Sequence, residues 1–170
     1  MTPSETVRLE PWGGDDFWLL LRKNEPEMTA HLGGPETPAK LADRQRRYEA
    51  LSAGPPEAGR MFKILLTDSG ETVGSIGFWP REWEGRAVYE TGWGVLPEFQ
   101  GRGLAAAAAR ALVAHVRAHG DRERLHAFPS ADHHASNAVC RAAGFTLAGA
   151  TEFEYPPGRV HLSNDWWLAL

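Results

Sequence analysis

The chain of 170 residues has a single cysteine, so it cannot form an internal disulfide and is not a disulfide-stapled secreted scaffold. It has no basic surplus. Its 18 Lys and Arg stand against 22 Asp and Glu, a formal net charge of −4, whereas sequence-independent binding to nucleic acid needs a clear excess of cations. No nucleic-acid partner is therefore expected. It also lacks a long apolar run. The least polar stretch, 104–116, is alanine-rich, too short to span a bilayer, and broken by Arg110 and His115. The N-terminal MTPSETVRLEPW has no basic start followed by an apolar segment, so neither a secretory signal nor a membrane partner is expected and the cytoplasm is the expected compartment. There is no internal repeat, no Gly-Lys-Ser/Thr phosphate loop, and no linker long enough to divide the chain. The one Pro/Gly cluster of the first half, AGPPEAG at 53–59, is loop-sized, and a single domain over 1–170 is expected. No metal is expected either, because the adjacent His133 and His134 do not share a helix face and no other Cys/His cluster lies near them.

What is present is a globular composition, 42% hydrophobic and 24% charged, with seven tryptophans. Tryptophan fills cores and also lines clefts and interfaces. The pattern along the chain alternates strands and helices. Residues 6–10 alternate apolar and polar as a short strand, and Asp15 and Asp16 open a helix, FWLLLRK, that closes on Arg22 and Lys23, acids first and bases last. A polar helix follows over 36–51, with its basic stretch Arg44, Arg46 and Arg47 read as a solvated face. Strands at 61–67, 72–79 and 87–95 form a meander, with a turn at Asp68-Ser69-Gly70 and a connection over 80–85. A long helix at 104–119, a strand at 125–128, a helix at 135–143 and a final strand pair at 145–153 and 161–170 complete an α+β protein with a mixed, mostly antiparallel sheet flanked by helices.

The turn into the long helix carries the most information. It reads Gln100-Gly101-Arg102-Gly103-Leu104-Ala105. Two glycines at the mouth of a helix leave backbone N–H groups bare where the helix dipole is positive, which suits a phosphate or pyrophosphate. Arg102 adds a cation, and the small Ala105 permits close approach. The same glycines also suit a tight turn alone. Gly101-x-Gly103-x-x-Ala106 formally matches a dinucleotide fingerprint, but the preceding strands form an antiparallel meander and the next strand, ending Ala127-Phe128-Pro129, has no acid at its end.

Gln100-x-x-Gly103-x-Ala105 resembles the signature loop of the GNAT N-acetyltransferase superfamily. The resemblance extends over TGWGVLPEFQGRGLA, similar to that family's fourth strand and third helix, and over Ser136-Asn137 to Gly144-Phe145, similar to its later segment. The N-terminal pattern resembles the branch that includes ribosomal-protein N-terminal acetyltransferases. The resemblance implies an acyl-CoA N-acyltransferase fold and an enzyme that takes acetyl-CoA as co-substrate and an amine as acceptor, attacked directly in a ternary complex. It implies that the loop of Gln100, Gly101, Arg102, Gly103, Leu104 and Ala105 cradles the pyrophosphate. It also implies that the backbone of Trp93 to Val95 holds the acetyl carbonyl and pantetheine arm in a gap between two strands, and that Asn137 hydrogen-bonds that arm. Asn137 or Ser136 could equally cap a helix.

Glu90 is the candidate general base. Period-two geometry puts it on one face with Gly92 and Gly94. Pairing with Arg81 or Arg86 is the alternative. Cys140 stands three residues after Asn137, where relatives place a Ser or Tyr near the CoA sulfur; it is a candidate general acid or a small buried residue. The resemblance implies an acceptor pocket built by the two N-terminal helices, the loop after the third strand and the C-terminal hairpin. These segments carry Trp12, Phe17, Trp18, Trp79, Trp83, Tyr155, Trp166 and Trp167 together with Asp15, Asp16, Glu82, Glu84, Glu152 and Glu154, which suits a cationic amine or, for the tryptophans, a homodimer contact. A non-catalytic acyl-CoA-binding or sensor module on the same fold is the alternative to an enzyme.

Overall fold

The computed structural model describes residues 5–170; Met1 to Ser4, the start of the stretch read above as lacking a signal, lie outside them. Among the described residues, seven strands form one sheet: β1 (Val7–Pro11), β2 (Arg60–Leu66), β3 (Thr72–Trp83), β4 (Arg86–Val95), β5 (Arg124–Ala127), β6 (Thr146–Glu154) and β7 (Val160–Ala169). Their spatial order is β1-β2-β3-β4-β5-β7-β6. Every pairing is antiparallel except β4 with β5. The helices are α1 (Phe17–Lys23), α2 (Pro26–Thr29), α3 (Pro38–Ala53), α4 (Leu104–His119) and α5 (His134–Ala142). The mixed, mostly antiparallel α+β architecture is the expected one. No described helix is long and apolar enough to cross a membrane.

Strand alternation sorts the side chains onto two unlike faces. Phe62, Ile64, Leu66, Ile76, Phe78, Tyr89, Val95, Leu125 and Trp166 join α4 (Leu104, Ala108, Leu112, Val116) in the main core. On the opposite face Trp12, Leu19, Leu20, Tyr48, Met61 and Leu96 form a smaller core under α1 and α3. Local chemistry fixes the helix ends. Thr37 caps α3 by accepting the Lys40 N–H at 3.3 Å, with Pro38 in the first turn.

Three features differ from the sequence reading. The connection expected over 80–85 is strand: β3 runs to Trp83, and only Glu84 and Gly85, both at positive φ (50° and 75°), make the turn. Pro80 is tolerated because β2 pairs with β3 only as far as Phe78, so a missing N–H there removes no ladder bond on that side. The four-residue α2, opened by Pro26, has too few residues to show a periodicity. Arg44 is not on a solvated face. Its guanidinium is largely buried and bonds Glu36, Tyr48 and Tyr155, while Arg46 and Arg47 are exposed as expected.

Gly74 lies where β3 crosses the end of β4, and a Cβ there would sit 2.2 Å from the Gly94 carbonyl oxygen. Backbone cannot yield as a flexible side chain can, so Gly74→Ala should destabilise the fold by ~2 kcal/mol or more, read as a lowered denaturant midpoint.

Candidate active site

The site begins with a break in the sheet. β4 and β5 pair only at Tyr89–Leu125, Glu90–His126 and Thr91–Ala127. Beyond these pairs β5 ends, whereas β4 continues through Gly92, Trp93, Gly94 and Val95, paired among the described residues only with β3. The β4 backbone therefore faces an opening with unused hydrogen-bonding groups. The β3–β4 register is unbroken over ten pairs, so the glycines of β4 do not mark a bulge. They make room on the α1 side: a Cβ on Gly92 would meet the Trp79 ring at 3.2 Å, and one on Gly94 would meet Lys23 Cε at 3.0 Å.

The loop from β4 to α4 is braced to the same strand end. Gln100 Nε2 donates to the Val95 carbonyl at 2.9 Å. Gly101 and Gly103 are left-handed (φ 77° and 75°), and a Cβ on either would meet nothing within 4 Å. These glycines are thus required by conformation and leave their N–H groups uncovered. Gly103 is the N-cap of α4, and no side chain caps that first turn. Leu104 is anchored in the main core, with Ala105 packed against it. Arg102 is exposed and forked onto Glu5, one bond being 2.8 Å. That pair holds the Glu5 carboxyl below its ordinary range. Trp93 and Val95 turn their side chains toward the main core, so only their backbone faces the opening.

Glu90 stands at the apex of the opening, on the opposite face from α4. Arg81 Nη1 donates to its carboxylate at 2.8 Å. Burial is the largest influence and raises the Glu90 carboxyl above its ordinary value, while Arg81 and the Trp79 indole pull it back. The Arg81 guanidinium lies 4.5 Å from the Phe153 ring centre and 5.4 Å from that of Phe128. Beside Glu90 in the ladder, His126 Nδ1 donates to Asp165 at 2.7 Å, and Trp83 Nε1 donates to the same carboxylate at 3.1 Å. The sequence offered no local signal for the His126–Asp165 pair, because 39 residues separate the two and their shared face depends on strand order.

The model of the acetyltransferase (GNAT) domain family matches residues 6–146. The chain belongs to this family. Solved acetyltransferase structures share its fold. The ribosomal-protein alpha-N-acetyltransferase RimL, in complex with coenzyme A, has a TM-score of 0.78 and 23% identity over 99% of this chain and 97% of that one. An aminoglycoside acetyltransferase bound to coenzyme A has a TM-score of 0.74 and 20% identity, over 96% of this chain and 95% of that one. Spermidine N-acetyltransferase from Vibrio cholerae, bound to coenzyme A and spermine, has 0.76 and 12%, with the same coverage. No curated protein sequence matches the chain.

In this GNAT chain Asn137 is buried in α5, and its amide is fully engaged by the protein. Its Nδ2 donates to the carbonyls of Ser130 (3.0 Å) and His133 (2.8 Å), and its Oδ1 accepts from Asn164 and the Trp166 indole, both at 2.8 Å. It does not cap α5, whose N-cap is His133, and neither does Ser136. It ties the loop after β5 to β7 and so fixes the far wall of the opening. Cys140 is fully buried in the main core, and burial pushes its thiol up to about 12. Such a thiol stays protonated and walled off, so the residue packs the core. The tryptophans scatter. Trp12 and Trp166 are core, Trp18 is exposed, and Trp79 and Trp83 alone stand with Glu90 and Arg81. The cation nearest Gly94 is Lys23, which the sequence reading took only as a helix-closing base.

Asn137→Ala would deprive the Asn164 amide and the buried Trp166 indole N–H of their acceptor, while the Ser130 and His133 carbonyls would keep only the backbone N–H groups of His133 and residue 137. It should cost ~2 kcal/mol of stability, measured by chemical denaturation.

Proposed function

We propose that this GNAT enzyme transfers an acetyl group from acetyl-CoA to a primary amine, on a small molecule or a protein N-terminus, by direct attack within a ternary complex. The observation that carries this reading is the early parting of β4 from β5, immediately before the uncapped, glycine-opened start of α4. The residues fit acetyl-CoA. The N–H groups of Gly101 to Ala105 and the dipole of a 16-residue helix offer a pyrophosphate site. Arg102 supplies a cation that can exchange Glu5 for a phosphate oxygen. Peptide groups of Trp93 to Val95 offer donors and acceptors to an extended amide arm and to the acetyl carbonyl, whose developing charge they would stabilise. Asn137 acts as a positioning residue through the loop it pins, and Cys140 is left out of the chemistry.

Glu90 serves as the base. It lies four residues before Gly94, about 13 Å along an extended strand, so the acceptor's proton reaches it through water in the opening. Arg81 keeps the carboxylate oriented, and the burial that raises its affinity for a proton makes it a better base than an exposed carboxylate.

A panel of amines followed by release of free coenzyme A tests the reading. Turnover with at least one primary amine is expected; acetyl-CoA binding without turnover on any amine would point to a sensor module instead. Glu90→Gln should lower turnover by ~10² or more. The ionised form of Glu90 accepts the proton, so activity in the parent enzyme falls as pH drops through the raised value, above the ordinary carboxylate range. That acidic limb should vanish in Glu90→Gln. A mutant that keeps both the limb and full turnover removes Glu90 from the mechanism.

A further inference from the structure

The last residue of α1 places an amine beside the opening that the reaction above does not use. Lys23 Nζ hydrogen-bonds Ser75 Oγ on β3. It lies 3.6 Å from where a Cβ of Gly94 would stand, and the missing side chain at Gly94 is what admits it. Lys23 is half-buried as a residue, and its amine lies on the α1 side of β4, against Gly94 and the buried Ser75. Among the described residues no carboxylate is within salt-bridge distance of it, in contrast to Lys63, which sits 3.1 Å from Asp16. The Arg44 guanidinium, itself held by Glu36, Tyr48 and Tyr155, acts on it as a like charge.

We propose that Lys23 is a self-acetylation site, taking the acetyl group from acetyl-CoA bound in the opening when no acceptor amine is present. This rests on the reading of the opening as the acetyl-CoA site, with the acetyl carbonyl at the backbone of Trp93 to Val95. The neutral Lys23 amine forms a bond from Nζ to the acetyl carbonyl carbon. The carbon–sulfur bond of the thioester breaks, and its electron pair leaves with the sulfur. The proton lost by the amine passes to that sulfur, giving Nε-acetyl-lysine and free coenzyme A. Burial, aided by Arg44, lowers the Lys23 ammonium to about 8, so a far larger neutral fraction is available near neutral pH than for an exposed lysine.

The chain has three lysines, Lys23, Lys40 and Lys63, which makes the test internally controlled. The purified protein is incubated with acetyl-CoA and no acceptor, and acetylation at each lysine is followed by peptide mass spectrometry. Calorimetry records acetyl-CoA binding in parallel. Lys23 should be acetylated at least about tenfold faster than the exposed Lys40, as expected of a positioned amine, and excess coenzyme A should suppress labelling at Lys23 but not at Lys40. If acetyl-CoA binds but Lys23 reacts no faster than Lys40, or if coenzyme A does not protect it, the self-acetylation proposal is overturned while the functional reading stands. If calorimetry shows no acetyl-CoA binding, both fall together.

Discussion

Only three residue pairs hold β4 to β5, and the opening in the sheet follows from that limit. A parallel pair that continued to Val95 would consume the backbone groups of 92–95 in ladder bonds and leave no slot. β5 cannot follow β4 further because the chain turns away at Phe128-Pro129, and proline has no N–H to extend a ladder. The turned-away segment is then held in place by Asn137, which satisfies the carbonyls of Ser130 and His133 while accepting from Asn164 and Trp166 on β7. A fully satisfied buried amide of this kind specifies one geometry, since displacing it would strip the Asn164 amide and the buried Trp166 indole of their acceptor.

The two faces of the sheet divide the work around that opening. The α4 face is apolar and rigid, and it fixes where the first turn of α4 points. The other face buries charge: Glu90 with Arg81, and His126 with Asp165 and Trp83. Burying ionisable groups is costly unless they are paired, and here each has a partner. Three aromatic rings, Trp83 on β3, Phe128 just after β5 and Phe153 on β6, surround the Arg81 guanidinium, which holds it toward Glu90. The result is a carboxylate with a raised proton affinity fixed at the apex of the slot, and an amine, Lys23, further along the same strand.

Much of this was legible in the sequence because it is local. The glycines at 101 and 103, the position of α4, the meander and the period-two grouping of Glu90 with Gly92 and Gly94 all come from neighbours in the chain. In the structure Glu90 makes the alternative pairing, with Arg81, and its burial still raises its proton affinity. What escaped the sequence is non-local. The His126–Asp165 pair needs β7 to lie beside β5. Arg44 needed the β6–β7 hairpin to bring Tyr155 over α3, without which three arginines in a polar helix read as a solvated face. Lys23 read as a favourable charge at a helix end, because only the packing of α1 over Gly94 shows what its amine faces. Cys140 sits at a suggestive spacing from Asn137 and on nearly the same face of α5, but its side chain is enclosed in the main core, which only the packing of α5 shows.

A crystal structure with bound acetyl-CoA is the most direct measurement of the central claim, that the β4–β5 parting and the start of α4 form one continuous acetyl-CoA site. The expected result places the pyrophosphate on the N–H groups of Gly101 to Ala105, with the pantetheine arm running between β4 and β5 and the acetyl carbonyl at Trp93 to Val95. A nucleotide bound elsewhere, or β4 and β5 paired through Val95 with the arm excluded, would contradict it.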